Sequence, residues 1–158
     1  MIRVCFVCLG NICRSPIAEG VLRHLVKEAG LEGAIEVDSA GTGDYHVGEL
    51  PDSRARSAGK RQGIEVSGRA RQVQRGDFER FHYILAMDAD NLANLQRLAP
   101  ANSAAYCGLL RAFDATSPPG ASVPDPYFGG DQGFDEVLSQ CLRACRGLLS
   151  KIREEHAL

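Results

Sequence analysis

No stretch of this 158-residue chain is apolar for long enough to cross a bilayer. Neither sign of charge dominates: 18 Lys and Arg against 20 Asp and Glu leave a net charge of −2. That balance gives no general case for binding nucleic acid or inserting into a membrane. There is no internal repeat and no low-complexity tract, so the length is that of one domain, residues 1–158, able to bury an ordinary core. No cluster of His, Cys, Asp and Glu has metal-ligand spacing, and neither a metal nor a cofactor is expected. The N-terminus does not read as a secretory leader, because Arg3 is followed by a short apolar segment that runs straight into a motif. The six cysteines sit mostly inside apolar segments. The expectation is therefore free thiols in the reducing cytoplasm rather than a disulfide framework.

What the chain does have is one loop, Cys8-Leu9-Gly10-Asn11-Ile12-Cys13-Arg14-Ser15-Pro16. A continuous apolar run, Ile2–Val7, enters it as a buried strand, and a helix leaves it with Pro16 in the first turn. A loop between a strand end and a helix N-terminus is an anion site, because its N–H groups lack partners and the helix dipole is positive there. If the backbone curls so that successive N–H groups point inward, it forms a nest. Arg14 can then fork two oxygens of a tetrahedral anion. Cys8 lies beneath, where the same positive field favours a thiolate. The simplest chemistry is attack of sulfur on phosphorus, giving a phosphocysteine. The pattern is not a nucleotide P-loop, since the Gly-Lys-Ser/Thr ending is missing. The alternative is a buried strand-end cysteine beside a surface arginine.

The stretch Val4–Glu19, VCFVCLGNICRSPIAE, resembles the active-site loop of the low-molecular-weight protein tyrosine phosphatases. The resemblance continues, in the same order, through Asp38-Ser39-Ala40-Gly41-Thr42, Ala70-Arg71-Gln72, Met87-Asp88 with Asn91, and Asp125-Pro126-Tyr127. It implies a phosphotyrosine phosphatase I-like, Rossmann-like fold and hydrolysis of phosphotyrosine and small aryl phosphates. It also implies phosphotyrosine-containing proteins as substrates, with a tyrosine kinase as the opposing partner.

Read in order, the chain alternates strands and helices. The expected strands are Ile2–Val7, Ile35–Val37, Tyr83–Met87 and Ala104–Leu110. The expected helices are Pro16–Ala29, a segment from Asp52 to near Gly63, Asp90–Leu98 and about Phe134–Glu154, with a turn or short helix at Gly76–Phe81. Alternation implies an α/β domain with a four-stranded parallel sheet and helices on both faces. Ligands then lie beyond the carboxyl ends of the strands, where the Cys8 loop is. Cys5 and Cys8 form a C-x-x-C, but three residues along a strand put them on opposite faces, which excludes a shared disulfide or zinc. The basic residues Arg54, Arg56, Lys60, Arg61, Arg69, Arg71 and Arg75 read as a solvated face or as a dock for acidic substrates.

By resemblance, Asp125 on the Pro- and Gly-rich segment Thr116–Gly133 is the acid that protonates the leaving phenolate and then the base that activates water; its bland alternative is a turn aspartate. Loop N–H groups from Leu9 to Ser15 and the Arg14 guanidinium hold the phosphate oxygens. Ser15 donates to the Cys8 sulfur, caps the helix, or does both. Asn11 and Ser39 support the loop, Ser39 being otherwise an ordinary turn serine. Ile12, Tyr45 and Tyr127 border the substrate cleft, unless Tyr45 merely covers loop backbone, and His46 reads as a surface residue. Asp88 belongs to the acidic rim or caps the next helix. Cys13 is either a redox partner that shields Cys8 through a reversible disulfide or a small buried side chain. Arsenate reductases share the fold but need further cysteines, and Phe78–Ala93 has none. Protein arginine phosphatases carry Thr where Ile12 stands. A phosphopeptide-binding module would need neither Cys8 nor Asp125.

Overall fold

Four strands form one sheet in the order β2-β1-β3-β4, every pair parallel. They are β1 (Ile2–Cys8), β2 (Ile35–Gly41), β3 (Tyr83–Ala86) and β4 (Tyr106–Leu109). The computed structural model describes residues 1–158. Five helices connect and cover the strands: α1 (Arg14–Glu28), α2 (Ser53–Arg61), α3 (Asp77–Arg80), α4 (Ala89–Leu98) and α5 (Asp131–His156). Parallel neighbours need crossovers over a face of the sheet, and the helices supply them. The α/β architecture read from the sequence is the one observed.

The side-chain alternation of β1 and β3 divides the core in two. Val4, Phe6, Leu85 and Met87 pack with the apolar faces of α1 and α5, while Val7, Ile84 and Ala86 pack with Phe78, Phe81 and Leu95 on the opposite face. Cys8 lies in the first cluster and Cys5 in the second, so the C-x-x-C is split by the sheet as its spacing requires. All six cysteines are unpaired. Cys141 and Cys145 are buried on α5, and Cys107 on β4 is half-buried.

The elements differ from expectation mainly at their ends. β2 runs on from Val37 to Gly41, because Gly41 is bridged to Gln72 and the extra pairing keeps the backbone extended. β4 begins two residues later than its apolar pattern suggests. Its C-terminal end tightens into a 3-10 turn, Leu110–Phe113, which the sequence did not announce. That turn is pressed against α5 at Gly147, where a Cβ would run into the Phe113 carbonyl oxygen. Ile64–Val66 joins no strand. The sheet thus ends, at Cys8, Gly41 and Ala86, on one edge of the molecule, and the Cys8 loop, the Asp88 N-terminus of α4 and the Val123–Asp125 segment converge there.

Candidate active site

The loop after β1 is turned inside out by its carbonyl groups. Cys8 O accepts from Thr42 N at 2.8 Å, Leu9 O from Gly43 N at 3.0 Å, Ile12 O from Asp52 N at 2.8 Å and Cys13 O from Ile17 N at 3.2 Å. With the carbonyls tied outward, the amides point the other way. The N–H groups of Leu9, Gly10, Ile12 and Cys13 have no acceptor within the protein. Asn11 makes the turn possible: its φ is +56°, a left-handed conformation that Asn tolerates better than most side chains. Its own N–H donates to Cys8 Sγ at 3.3 Å.

Behind the loop runs a buried polar chain. Ser15 Oγ lies 3.1 Å from Cys8 Sγ. Asn11 Nδ2 donates to Ser15 Oγ at 2.7 Å and to Ser39 Oγ at 3.0 Å. Ser39 in turn donates to Glu19 Oε1 at 2.5 Å, and Arg23 donates to Glu19 Oε2 at 2.5 Å. Asn11 Oδ1 accepts the Arg71 N–H at 3.0 Å, and the Arg71 guanidinium is held by Asp38 and Asp77. Burial pushes the Glu19 carboxyl up, against the hydrogen bond from Ser39 and the nearby Arg23 charge. Ser15 is not the helix cap: Cys13 holds that position, with no side-chain capping bond. Ser39 is more than a turn residue, since it links the Glu19 carboxylate to the loop.

Arg14 is buried, and its guanidinium is aimed rather than free. Nη1 donates to Asp88 Oδ2 at 2.7 Å and to the Val123 carbonyl at 3.1 Å. Nη2 lies 3.7 Å from Asp125 Oδ2. Asp88 does both things the sequence allowed, since its Oδ1 also accepts from Asn91 N at the start of α4. Asp125 is a turn residue that also borders the cleft. Oδ1 accepts the Tyr127 N–H at 3.0 Å in a turn, while Oδ2 faces the Arg14 side of the cleft.

These groups share a cavity of about 170 Å³. Cys8, Cys13 and Arg14 lie at its base, Asp125 and His46 border it, and Leu9, Ile12, Tyr45, Tyr127 and Phe128 form its apolar walls. Tyr45 is 72 % exposed and Phe128 95 % exposed, so both rings stand out around the mouth. A narrow slot with a thiol and unclaimed amides at its base and aromatic rings at its mouth fits a planar ring carrying an anion at its far end.

A sequence model described as low molecular weight phosphotyrosine protein phosphatase matches residues 3–158. The chain belongs to that family. It is 47% identical over 155 residues to the low molecular weight protein-tyrosine-phosphatase of Streptomyces coelicolor, covering 97% of this chain and 94% of that one. It is 46% identical to the low molecular weight phosphotyrosine protein phosphatase 2 of Drosophila melanogaster, covering 95% of this chain and 92% of that one. Among solved structures it is similar to a protein tyrosine phosphatase from Entamoeba histolytica crystallised with Hepes in its active site. The TM-score is 0.94, at 40% identity over 100% of both chains.

Within this phosphatase fold, Cys8, Leu9, Gly10, Ile12, Cys13, Arg14, Tyr45, Asp125 and Tyr127 line the cleft, while Asn11, Ser15 and Ser39 lie behind the loop. Sequence reasoning missed two others. Glu19 ends the polar chain; its signal was a carboxylate one helical turn beyond Ser15 on an otherwise apolar face. His46, read as a surface residue, lines the cleft, with Nδ1 2.9 Å from Glu49 Oε2 and its ring 6.4 Å from that of Tyr127. No pattern in the sequence pointed to it. The basic residues after position 53 are largely engaged inside the molecule: Arg54 with Asp52, Arg61 with Asp135, and Arg71 with Asp38 and Asp77.

Proposed function

We propose that the protein hydrolyses phosphotyrosine in phosphoprotein substrates, and small aryl phosphates, through a phosphocysteine intermediate. The observation that carries this is the ring of unclaimed N–H groups around the Cys8 sulfur, with Arg14 at its side. Cys8 Sγ attacks phosphorus as the bond to the phenolic oxygen breaks. The free amides and Arg14 Nη2 hold the equatorial oxygens while charge moves between them. Asp125, in its acid form, gives its proton to the departing phenolate. As a carboxylate it then takes a proton from water, whose oxygen attacks phosphorus and expels the Cys8 sulfur. The Ser15 hydroxyl, 3.1 Å from that sulfur, stabilises it as the leaving group. Ile12, Tyr45 and Tyr127 border the ring of the substrate. An apolar Ile12 suits a phenyl ring better than a polar guanidino group, which favours an aryl phosphate over phosphoarginine.

In the same reading the protein works in the cytoplasm, where its six free thiols persist, against a tyrosine kinase that forms its substrates. Cys13 is the redox partner of Cys8. Burial, followed by the Asp52 charge and the neighbouring Cys8, pushes the Cys13 thiol up to about 12, which keeps it protonated and slow toward peroxide. Cys8 becomes a sulfenic acid, and the Cys13 thiol displaces water to form a disulfide, short of irreversible oxidation. After peroxide and then a thiol reductant, wild type regains most of its activity and Cys13→Ser does not; equal recovery removes Cys13 from this role.

The direct test is phosphate release from an aryl phosphate and a phosphotyrosine peptide. Wild type releases phosphate from both and Cys8→Ser from neither. Retention of activity by Cys8→Ser, or a wild type that binds the peptide without cleaving it, overturns the reading.

A further inference from the structure

On the far side of one cleft wall lies a second depression, about 330 Å³, that shares Leu9 and Tyr45 with the catalytic cleft. Its remaining walls include Thr42, Gln72, Asn94 and Leu98, and no residue lining it carries a charge. Thr42 Oγ1 is shielded from solvent yet has no hydrogen-bond partner, which is costly unless something supplies one. The Gln72 side chain donates to the Thr42 carbonyl at 3.1 Å, fixing the amide against the groove, while its residue remains exposed. Asn94 faces the same space with its carbonyl oxygen already taken by Arg97, leaving its amide hydrogens unspent.

We propose that this groove is a specificity subsite for the substrate polypeptide, holding an uncharged residue beside the phosphotyrosine. The proposal rests on the phosphatase reading above and adds which proteins the enzyme prefers. When a phosphotyrosine ring enters the cleft, its own backbone is left at the mouth, above Leu9 and Tyr45. An extended chain advances about 3.3 Å per residue, so residues on one side of the phosphotyrosine pass over the shared wall and into the groove. Peptide amides there find the Gln72 and Asn94 amides. A Leu or Gln side chain packs against Leu98 and Tyr45 without loss. A Glu or Lys side chain has to shed water among walls that carry no charge of their own, which disfavours it.

The test is a set of phosphotyrosine peptides in which each flanking position in turn is Leu, Gln, Glu or Lys. Cleavage by wild type, Gln72→Lys and Gln72→Glu is compared, with an aryl phosphate as the substrate that cannot reach the groove. Gln72 is exposed and outside the catalytic machinery, so both variants fold. Wild type prefers Leu or Gln over Glu or Lys by about tenfold in kcat/KM, at positions on one side only. Gln72→Lys raises cleavage of the Glu peptides at those positions, Gln72→Glu that of the Lys peptides, and the aryl phosphate kinetics stay as in wild type. A flat preference in wild type, or a preference that the Gln72 variants leave unmoved, overturns the subsite while the phosphatase reading stands. A wild type that releases phosphate from neither class overturns the phosphatase reading, and the subsite falls with it.

Discussion

Asn11 decides which way the protons point at this site. Its Oδ1 accepts from the Arg71 backbone, so both Nδ2 hydrogens are committed to Ser15 and Ser39. Ser39, already an acceptor, spends its proton on Glu19. Ser15, already an acceptor, has two acceptors for its proton, the Ala40 carbonyl at 3.4 Å and Cys8 Sγ at 3.1 Å, and it turns to the sulfur when that is a thiolate, which can only accept. One amide, anchored by one backbone donor, therefore orients the hydroxyl that lies against the sulfur. Asn11→Ala removes both donors and puts a Cβ-bearing residue without Asn's local bonding at a positive φ. It is expected to cost about 2 kcal/mol of stability, read as a lower Tm, and to lower kcat more than it changes KM. Asn11→Gly relieves the backbone but not the hydroxyl, so it recovers part of the Tm and little of the kcat.

Asp125 makes a sharper prediction at the same scale. An acid matters most when the departing oxygen is a poor leaving group. Asp125→Ala is expected to lower kcat by about a hundredfold or more on phosphotyrosine and by much less on an activated nitrophenyl ester. A plot of kcat against leaving-group pKa, flat in wild type, becomes steep in the variant. Equal losses on both substrates remove Asp125 from the acid role.

At the scale of elements, a second carboxylate ties the long loop to the last helix. Asp114 accepts from Thr116 and Ser117 and from Arg143 on α5. The Thr116 hydrogen bond, with help from Ser117 and Arg143, holds its carboxyl down at about 2. A carboxyl depressed on folding stabilises the fold fully above its ordinary value near 3.8, and that contribution is lost as the pH falls toward 2. Asp114→Asn is therefore expected to lower Tm at pH 7 by roughly 2–8 °C, from about 1–2 kcal/mol. The gap to wild type closes as the pH is lowered from 4 toward 2 in paired melts. The elements themselves were legible where a period was strong: β1, α1 and α5 follow from continuous or helical apolar patterns. The end of β2 and the 3-10 turn before Asp114 were not, because Gly41 pairs with Gln72 and Phe113 meets Gly147 only across the fold. The same division holds at the site. Cys8, Arg14 and Ser15 are neighbours in sequence, whereas His46 reaches the cleft by a loop path that no local signal encodes.

At the scale of the whole molecule, three distant segments meet at Arg14: its own helix, Asp88 at the start of α4, and Val123 with Asp125 in the long loop. The Asp88 carboxylate and the Val123 carbonyl hold the guanidinium in place, facing the same cleft as the free loop amides. An oxyanion bound there satisfies the Leu9, Gly10, Ile12 and Cys13 donors and Arg14 together, tightening the segments. A ligand that binds only the folded state raises stability by mass action, about 2.7 kcal/mol at a hundredfold excess over its Kd, or roughly 5–10 °C in Tm for a chain of this size. Phosphate also stabilises proteins generally by exclusion from their surfaces, so the informative quantity is a difference between variants. Arg14→Lys keeps the charge and loses the fork. Its phosphate-induced rise in Tm is expected to fall well below that of wild type, whatever its Tm without phosphate. Identical rises in the two proteins assign the effect to exclusion and leave the Cys8 loop without its anion.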